Sequence, residues 1–99
     1  MTIQILDEAR LEFSDAIDYY DSKESGLGVR LRNEVAHIVD WISLNPQLPR
    51  VRSHGYRRVN LAVFPHFVAY VIRGDVIWIV AIAHAHRRPE YWINRIKES

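Results

Sequence analysis

The sequence predicts an α+β fold of order β-α-α-β-β-β, with a helix hairpin packed on a mainly antiparallel sheet and a short C-terminal tail. Three observations predict it. Apolar residues recur at helical spacing through the first half, the period becomes strand-like after Pro49, and Arg73-Gly74-Asp75 parts two long apolar runs as a tight hairpin would. The 99 residues are expected to form one domain, 1–99, because a single core usually organises roughly 100 to 150 residues.

Each element follows from local pattern. "TIQIL" is a short strand with Ile3 and Ile5 on one face. Asp7 then offers an N-cap, and Glu8 and Glu12 suit the positive end of a helix dipole. Ala9, Phe13, Ala16, Ile17 and Tyr20 form the apolar stripe of that helix, while Glu12, Asp15, Asp18 and Asp21 mark a solvated side. "SKESGLG" breaks it, and Leu27, Leu31, Val35, Ile38 and Ile42 start a second stripe that Asn45-Pro46 ends. Beyond Pro49, "RVRS" and "YRRVNLAVF" read as strands around a His54-Gly55 turn, and Pro65 marks a strand break. "HFVAYVI" and "VIWIVAIAHAH" flank the hairpin in which Gly74 can supply a positive φ. Simple alternation along the last strand puts Trp78, Val80, Ile82 and His84 on one face and Ile77, Ile79, Ala81 and Ala83 on the other. Apolar residues on both faces predict a central strand covered on both sides, by the helix hairpin and by either the C-terminal segment or another chain. In the tail "PEYWINRIKE", Pro89 suits a helix start.

Composition narrows the function classes. With 48% hydrophobic and 25% charged residues the chain has the balance of a packed domain rather than a disordered one. The absence of cysteine excludes disulfides and thiolate metal sites and fits a cytoplasmic location. "MTIQILDEAR" has neither the basic start nor the apolar run of a signal peptide. The longest apolar run, Val76 to Ala83, is less than half the ~20 residues of a membrane-crossing helix, so no membrane partner is expected. The net charge of +1 conceals a division at Pro49: residues 1–49 carry nine acids and four bases, residues 50–99 nine bases and three acids. Eight of those nine bases are arginine, the side chain suited to bidentate contact with phosphate or carboxylate, so an anionic partner is expected for the second half.

Chemistry concentrates in "AHAHRRPEYW", Ala83 to Trp92. His84 and His86 share a strand face and could bind one ion, but a third ligand is missing and arginines adjoin them, so no metal and no cofactor is expected. Ribonuclease chemistry needs a base, an acid and cations around the phosphorane: His84 or His86 could move protons, Arg57, Arg58, Arg87 and Arg88 could hold phosphate, and Tyr91 or Trp92 could stack a base. Lysine is absent from positions 24 to 96 as an alternative base. A protein-binding surface is the third reading, since "RRPEYW" gathers Trp, Tyr and Arg, the residues enriched at interface hot spots. Tyr91 and Trp92 would equally serve to anchor the tail to a small core.

The stretches "ARLEFSDAIDYYDS", "NPQLPR", "YRRVNLAVFPHFVAYVI" and "VIWIVAIAHAHRRPEYWINR" together resemble the ParE branch of the RelE/ParE toxin superfamily of type II toxin-antitoxin systems. The resemblance runs over nearly the full chain. It implies a small α+β toxin neutralised by a neighbouring antitoxin that wraps it with an acidic segment, in a hetero-oligomer. ParE-like members are understood to poison DNA gyrase by protein contact, whereas RelE-like members act as ribosome-dependent mRNA endonucleases. By position, Arg57 or Arg58 matches the family's basic residue on the second strand, and His84, Arg87 and Arg88 match the end of the last strand. Arg50 and Arg52 stand where the RelE-like branch usually has lysines or a glutamate, and arginine cannot act as a general base near neutral pH. The expectation is therefore a ParE-like inhibitor without catalytic residues, using Arg50, Arg52, Arg57, Arg58, His84, Arg87, Arg88, Tyr91 and Trp92 to bind its target or antitoxin. The alternative is an mRNA nuclease working on the ribosome through His84, His86, Arg58, Arg87 and Tyr91; a non-toxic partner-binding module is the further one.

Overall fold

The structure, a computed structural model, describes residues 1–98. Ser99, the last position of the expected domain, lies outside the described residues. The order is β1 (Thr2–Ile5), α1 (Asp7–Lys23), α2 (Leu27–Leu44), β2 (Arg57–Asn60), β3 (His66–Arg73) and β4 (Val76–His84), followed by a 3-10 segment at Ile93–Glu98. The sheet runs β1-β4-β3-β2: β4 pairs antiparallel with β3 and parallel with β1, and β2 closes the other side antiparallel to β3. Two helices on a mixed four-stranded sheet bear out the expected α+β class.

Both helices bury the stripes read from the sequence. Ala9, Leu31, Val35, Ile38 and Ile42 form one core with Val68, Tyr70, Ile77, Ile79 and Ile82 of the sheet, and Phe13, Ala16, Ile17 and Tyr20 pack against it. Asp7 is not the N-cap. Leu6 holds that position in extended conformation because its N–H still donates to the Ile79 carbonyl (3.0 Å) as an extension of the β1–β4 ladder. Asp7 and Glu8 fall in the first turn, where the helix dipole favours carboxylates. Between the helices Gly26 takes φ 90°, a left-handed turn, but Gly28 is not part of the break. It lies inside α2, where an added Cβ would stand 2.6 Å from the Ile17 carbonyl oxygen, so the missing side chain lets the helices meet.

Three strand expectations need correction. "RVRS" is not a strand, since His54 (φ 63°) and Gly55 (φ 82°) curl residues 53–55 into a 3-10 turn. The strand at "YRRVNLAVF" shrinks to Arg57–Asn60, and the chain turns before His66. In β4 the alternation slips: Ala69 pairs with Ala81 but Tyr70 pairs with Ile79, leaving Val80 as an extra residue. Val80, Ala81 and Ala83 consequently face away from the helices, while Ile77, Ile79 and Ile82 face them. Ile82 therefore parts from Val80, because one inserted residue reverses every later side chain.

The second face of the sheet is covered by the C-terminal segment. Phe67, Ala69, Val71, Val80, Ala81 and Ala83 pack with Tyr56, Trp92 and Ile96. Pro89 does not start a helix: Glu90 takes φ 57°, and the 3-10 segment begins only at Ile93. Glu12, expected on the solvated side, holds this layer in place. β1 ends opposite Ile79, so beyond it that edge of β4 has no strand partner. There the Ile82 N–H donates to the Glu12 carboxylate (3.1 Å) and Arg95 donates to the Val80 carbonyl (3.1 Å). Arg95 also grips Glu12 bidentately at 2.9 and 3.1 Å, and the Tyr91 hydroxyl donates to the same carboxylate. A side-chain clamp thus replaces the missing strand and ties the tail to α1.

Candidate functional site

Where β4 ends, the chain doubles back, the Ala85 N–H donating to the Pro65 carbonyl (2.8 Å), and the tail crosses the sheet face opposite the helices. A cleft of about 260 Å³ opens between this tail, the loop before β2 and the ends of β2 and β3. Tyr56 and Arg58 enter it together because Tyr56 is already extended just before β2, two residues from Arg58. The Tyr56 ring meets Trp92 edge-on at 4.6 Å, and the Arg58 guanidinium lies over Phe67 at 4.4 Å. Arg52 joins through the loop, its N–H donating to the Tyr56 carbonyl at 2.7 Å. From the far wall come Arg87, stacked on Tyr91 at 4.2 Å, with Arg88 and Glu90.

The cleft is strongly cationic, with one carboxylate set in its wall. Glu90 Oε2 accepts from Ser53 Oγ and from the Tyr56 hydroxyl, each at 2.9 Å. Those two hydrogen bonds hold the Glu90 carboxyl below its ordinary pKa, while burial and the same bond to Glu90 push the Tyr56 hydroxyl up. Arg52 is lowered by partial burial and by its neighbours Arg58 and Arg50, the mark of crowded positive charge. Two donors have no partner: Arg58 Nε and Trp92 Nε1 are both buried and unbonded.

His84 and Tyr91 are already engaged. The His86 N–H donates to His84 Nδ1 (3.0 Å), so a neutral His84 ring carries its proton on Nε2 and has no free lone pair. Its ring is stacked edge-on between His66 (4.9 Å) and His86 (5.0 Å). His66 is buried beside Tyr20, and burial, with the charge of His84, lowers its pKa to about 4. The Tyr91 hydroxyl is pushed up to about 12 by burial and by its bond to Glu12. Among the described residues no group of three or more His, Asp or Glu is placed to hold a metal ion.

Of the residues singled out from the sequence, the structure gathers Arg52, Arg58, His84, Arg87, Arg88, Tyr91 and Trp92 around the cleft. Arg57 points elsewhere: it pairs with Tyr70 in register and its Nε donates to the Pro49 carbonyl at 2.9 Å, so alternation selects Arg58 over Arg57. Arg50 and His86 do not line the cleft. Trp92 is 1% exposed and lies in the core beneath it. Tyr56, Phe67 and Glu90 were missed by sequence reasoning. Tyr56 was detectable, standing two residues before Arg58; Phe67 and Glu90 reach the cleft only through strand pairing and the tail's return.

Comparison with known proteins agrees with this architecture. A solved structure titled "Chromosomal ParDE TA system from P. aeruginosa" superposes with a TM-score of 0.67 at 18% identity, covering 87% of this chain and 97% of that one. No curated protein matches significantly in sequence. The family profile described as "ParE toxin of type II toxin-antitoxin system, parDE" matches residues 3–89, from the first strand through the cleft's arginines. The chain therefore belongs to the ParE toxin family of type II toxin-antitoxin systems.

Proposed function

We propose that the chain is a cytoplasmic toxin that inhibits DNA gyrase by protein contact and is neutralised by a cognate antitoxin bound in a hetero-oligomer. Family membership supports the pairing with an antitoxin. The observation that carries inhibition over RNA cleavage is the state of the cleft's proton carriers. His84 has its Nδ1 lone pair bound to His86 N–H, Tyr91 has its hydroxyl bound to Glu12, and the remaining cations are arginines. Such a site can grip an anion, and its single carboxylate, Glu90, is a weak proton acceptor because Ser53 and Tyr56 donate to its Oε2 and hold its pKa below the ordinary value. The acidic segment of an antitoxin would complement the basic second half of the chain. Among the described residues no helix is long and apolar enough to cross a membrane.

The test runs purified protein in a gyrase supercoiling assay and in a translating-ribosome assay in parallel. Loss of supercoiling with intact mRNA is the expected outcome. Ribosome-dependent mRNA cleavage that disappears in His84→Ala, with gyrase unaffected, would replace the proposal by the nuclease. Unimpaired growth on expression without an antitoxin would replace it by a non-toxic partner-binding module.

A further inference from the structure

The cleft holds more positive charge and more open donors than its contacts within the chain use. Arg52, Arg58, Arg87 and Arg88 line it against a single carboxylate, Glu90, whose one engaged oxygen is bound by Ser53 and Tyr56 rather than by a guanidinium. Among the described residues the sole salt bridge joins Arg95 to Glu12, outside the cleft. Two buried N–H groups beside the cleft, Arg58 Nε and Trp92 Nε1, are unbonded, and buried donors are normally paired by protein, water or ligand. Arg58 and Arg87 lie over the rings of Phe67 and Tyr91, and Tyr56 and Trp92 are buried, so these four rings offer little face to a base.

We infer that this cleft is a receptor for the phosphodiester oxyanion of a nucleic-acid strand, held without reading its sequence and without cleaving it. A tetrahedral oxyanion accepts from several guanidinium groups at once and can take the orphaned Arg58 and Trp92 donors as well. A cavity of about 260 Å³ has room for one sugar-phosphate unit. Covered aromatic faces disfavour base stacking, which makes the backbone the recognised part. Glu90 works against the ligand as a fixed negative charge and sets how tightly the strand is held. This binding does not require gyrase, so its failure and the failure of the gyrase reading are separate results.

The experiment titrates the full chain with inorganic phosphate, then with single-stranded DNA and RNA oligonucleotides of mixed sequence, following the indole N–H signals by nitrogen–proton NMR. Trp92 is expected to shift while Trp41 and Trp78, which do not line the cleft, serve as internal references. Response to oligonucleotides of either sugar, stronger than to free phosphate, supports a strand as ligand; response to free phosphate alone overturns it. Arg87→Gln with Arg88→Gln, both exposed and outside the two core clusters, should weaken oligonucleotide binding about tenfold at low salt and reduce the salt slope by about 1. Glu90→Gln, which keeps an acceptor for Ser53 and Tyr56, should tighten it several-fold. A stationary Trp92 signal, a salt slope unchanged in the double variant, weaker binding by Glu90→Gln, or tighter binding of a glutamate-rich peptide than of oligonucleotides would each overturn the inference.

Discussion

His66 shows how one side chain can tie stability to pH. It is 6% exposed, packed between Tyr20 and His84, with Nδ1 unbonded, and burial lowers its pKa from 6.5 to about 4. Between those values the unfolded chain binds the proton and the folded one does not, so stability rises with pH through the window and is lost as pH falls toward 4. The effect is a few kcal/mol at most, at about 1.4 kcal/mol per unit. His66→Asn is expected to flatten the difference in urea stability between pH 7 and pH 4.5; an unchanged difference would place the dependence in other groups. Glu12 makes the complementary case. Its carboxylate receives Arg95, Tyr91 and the Ile82 N–H, so Glu12→Gln should destabilise the fold by roughly 1 to 3 kcal/mol, less than a fully buried pair because both side chains keep some exposure. Urea unfolding midpoints at constant slope would measure it. Glu12 was read from the sequence as a solvated helix residue, and spacing within α1 cannot show otherwise, since every partner lies about 70 or more positions away.

At the scale of elements, the hairpin of helices was legible because its information is local. Stripes at helical spacing, the Gly26 turn and Asn45-Pro46 each act within a few residues. The role of Gly28 was not legible, because it depends on the approach of α1. Gly28→Ala would drive its methyl against the Ile17 carbonyl and the Asp21 side chain, which itself accepts the Gly28 N–H at 2.7 Å. The expected loss is about 1 to 3 kcal/mol by thermal or urea unfolding, despite alanine's better helix propensity. A neutral or stabilising result would mean the helices separate easily at that point. The bulge at Val80 was equally hidden: alternation reads a strand correctly until one extra residue is inserted, and nothing local to "WIVAIAH" announces it. Its consequence reaches the site, for without the slip Ile82 and His84 would turn onto the tail's face and the stacking with His66 would be lost.

For the whole molecule, the decisive feature is a sheet with two unlike covers. One is the pair of helices; the other is a tail of about a dozen residues anchored by Trp92, Ile96 and the Glu12 clamp. Small domains have little stability in reserve, about 5 to 15 kcal/mol. Trp92→Ala removes the contacts to Tyr56 and Phe67 and should cost about 3 to 5 kcal/mol, bringing the fold near its threshold at 25 °C. A chemical denaturation curve would check this, and a variant that loses less than 1 kcal/mol would show the tail to be a loose cover. The same substitution is predicted to collapse the arginine cleft, since Trp92 forms its floor.

The sequence by itself determined the class of the fold, the order of its elements, the basic second half and the residue types that crowd "AHAHRRPEYW", because periodicity, breakers and charge are properties of neighbours along the chain. Only the tertiary structure decided that Arg58 and not Arg57 faces the cleft, that Glu90 lies among the arginines, and that Glu12 and Arg95 stand in for a strand. Those outcomes hang on strand register, one bulge and the return path of the tail, and each is set by contacts between segments far apart in the chain.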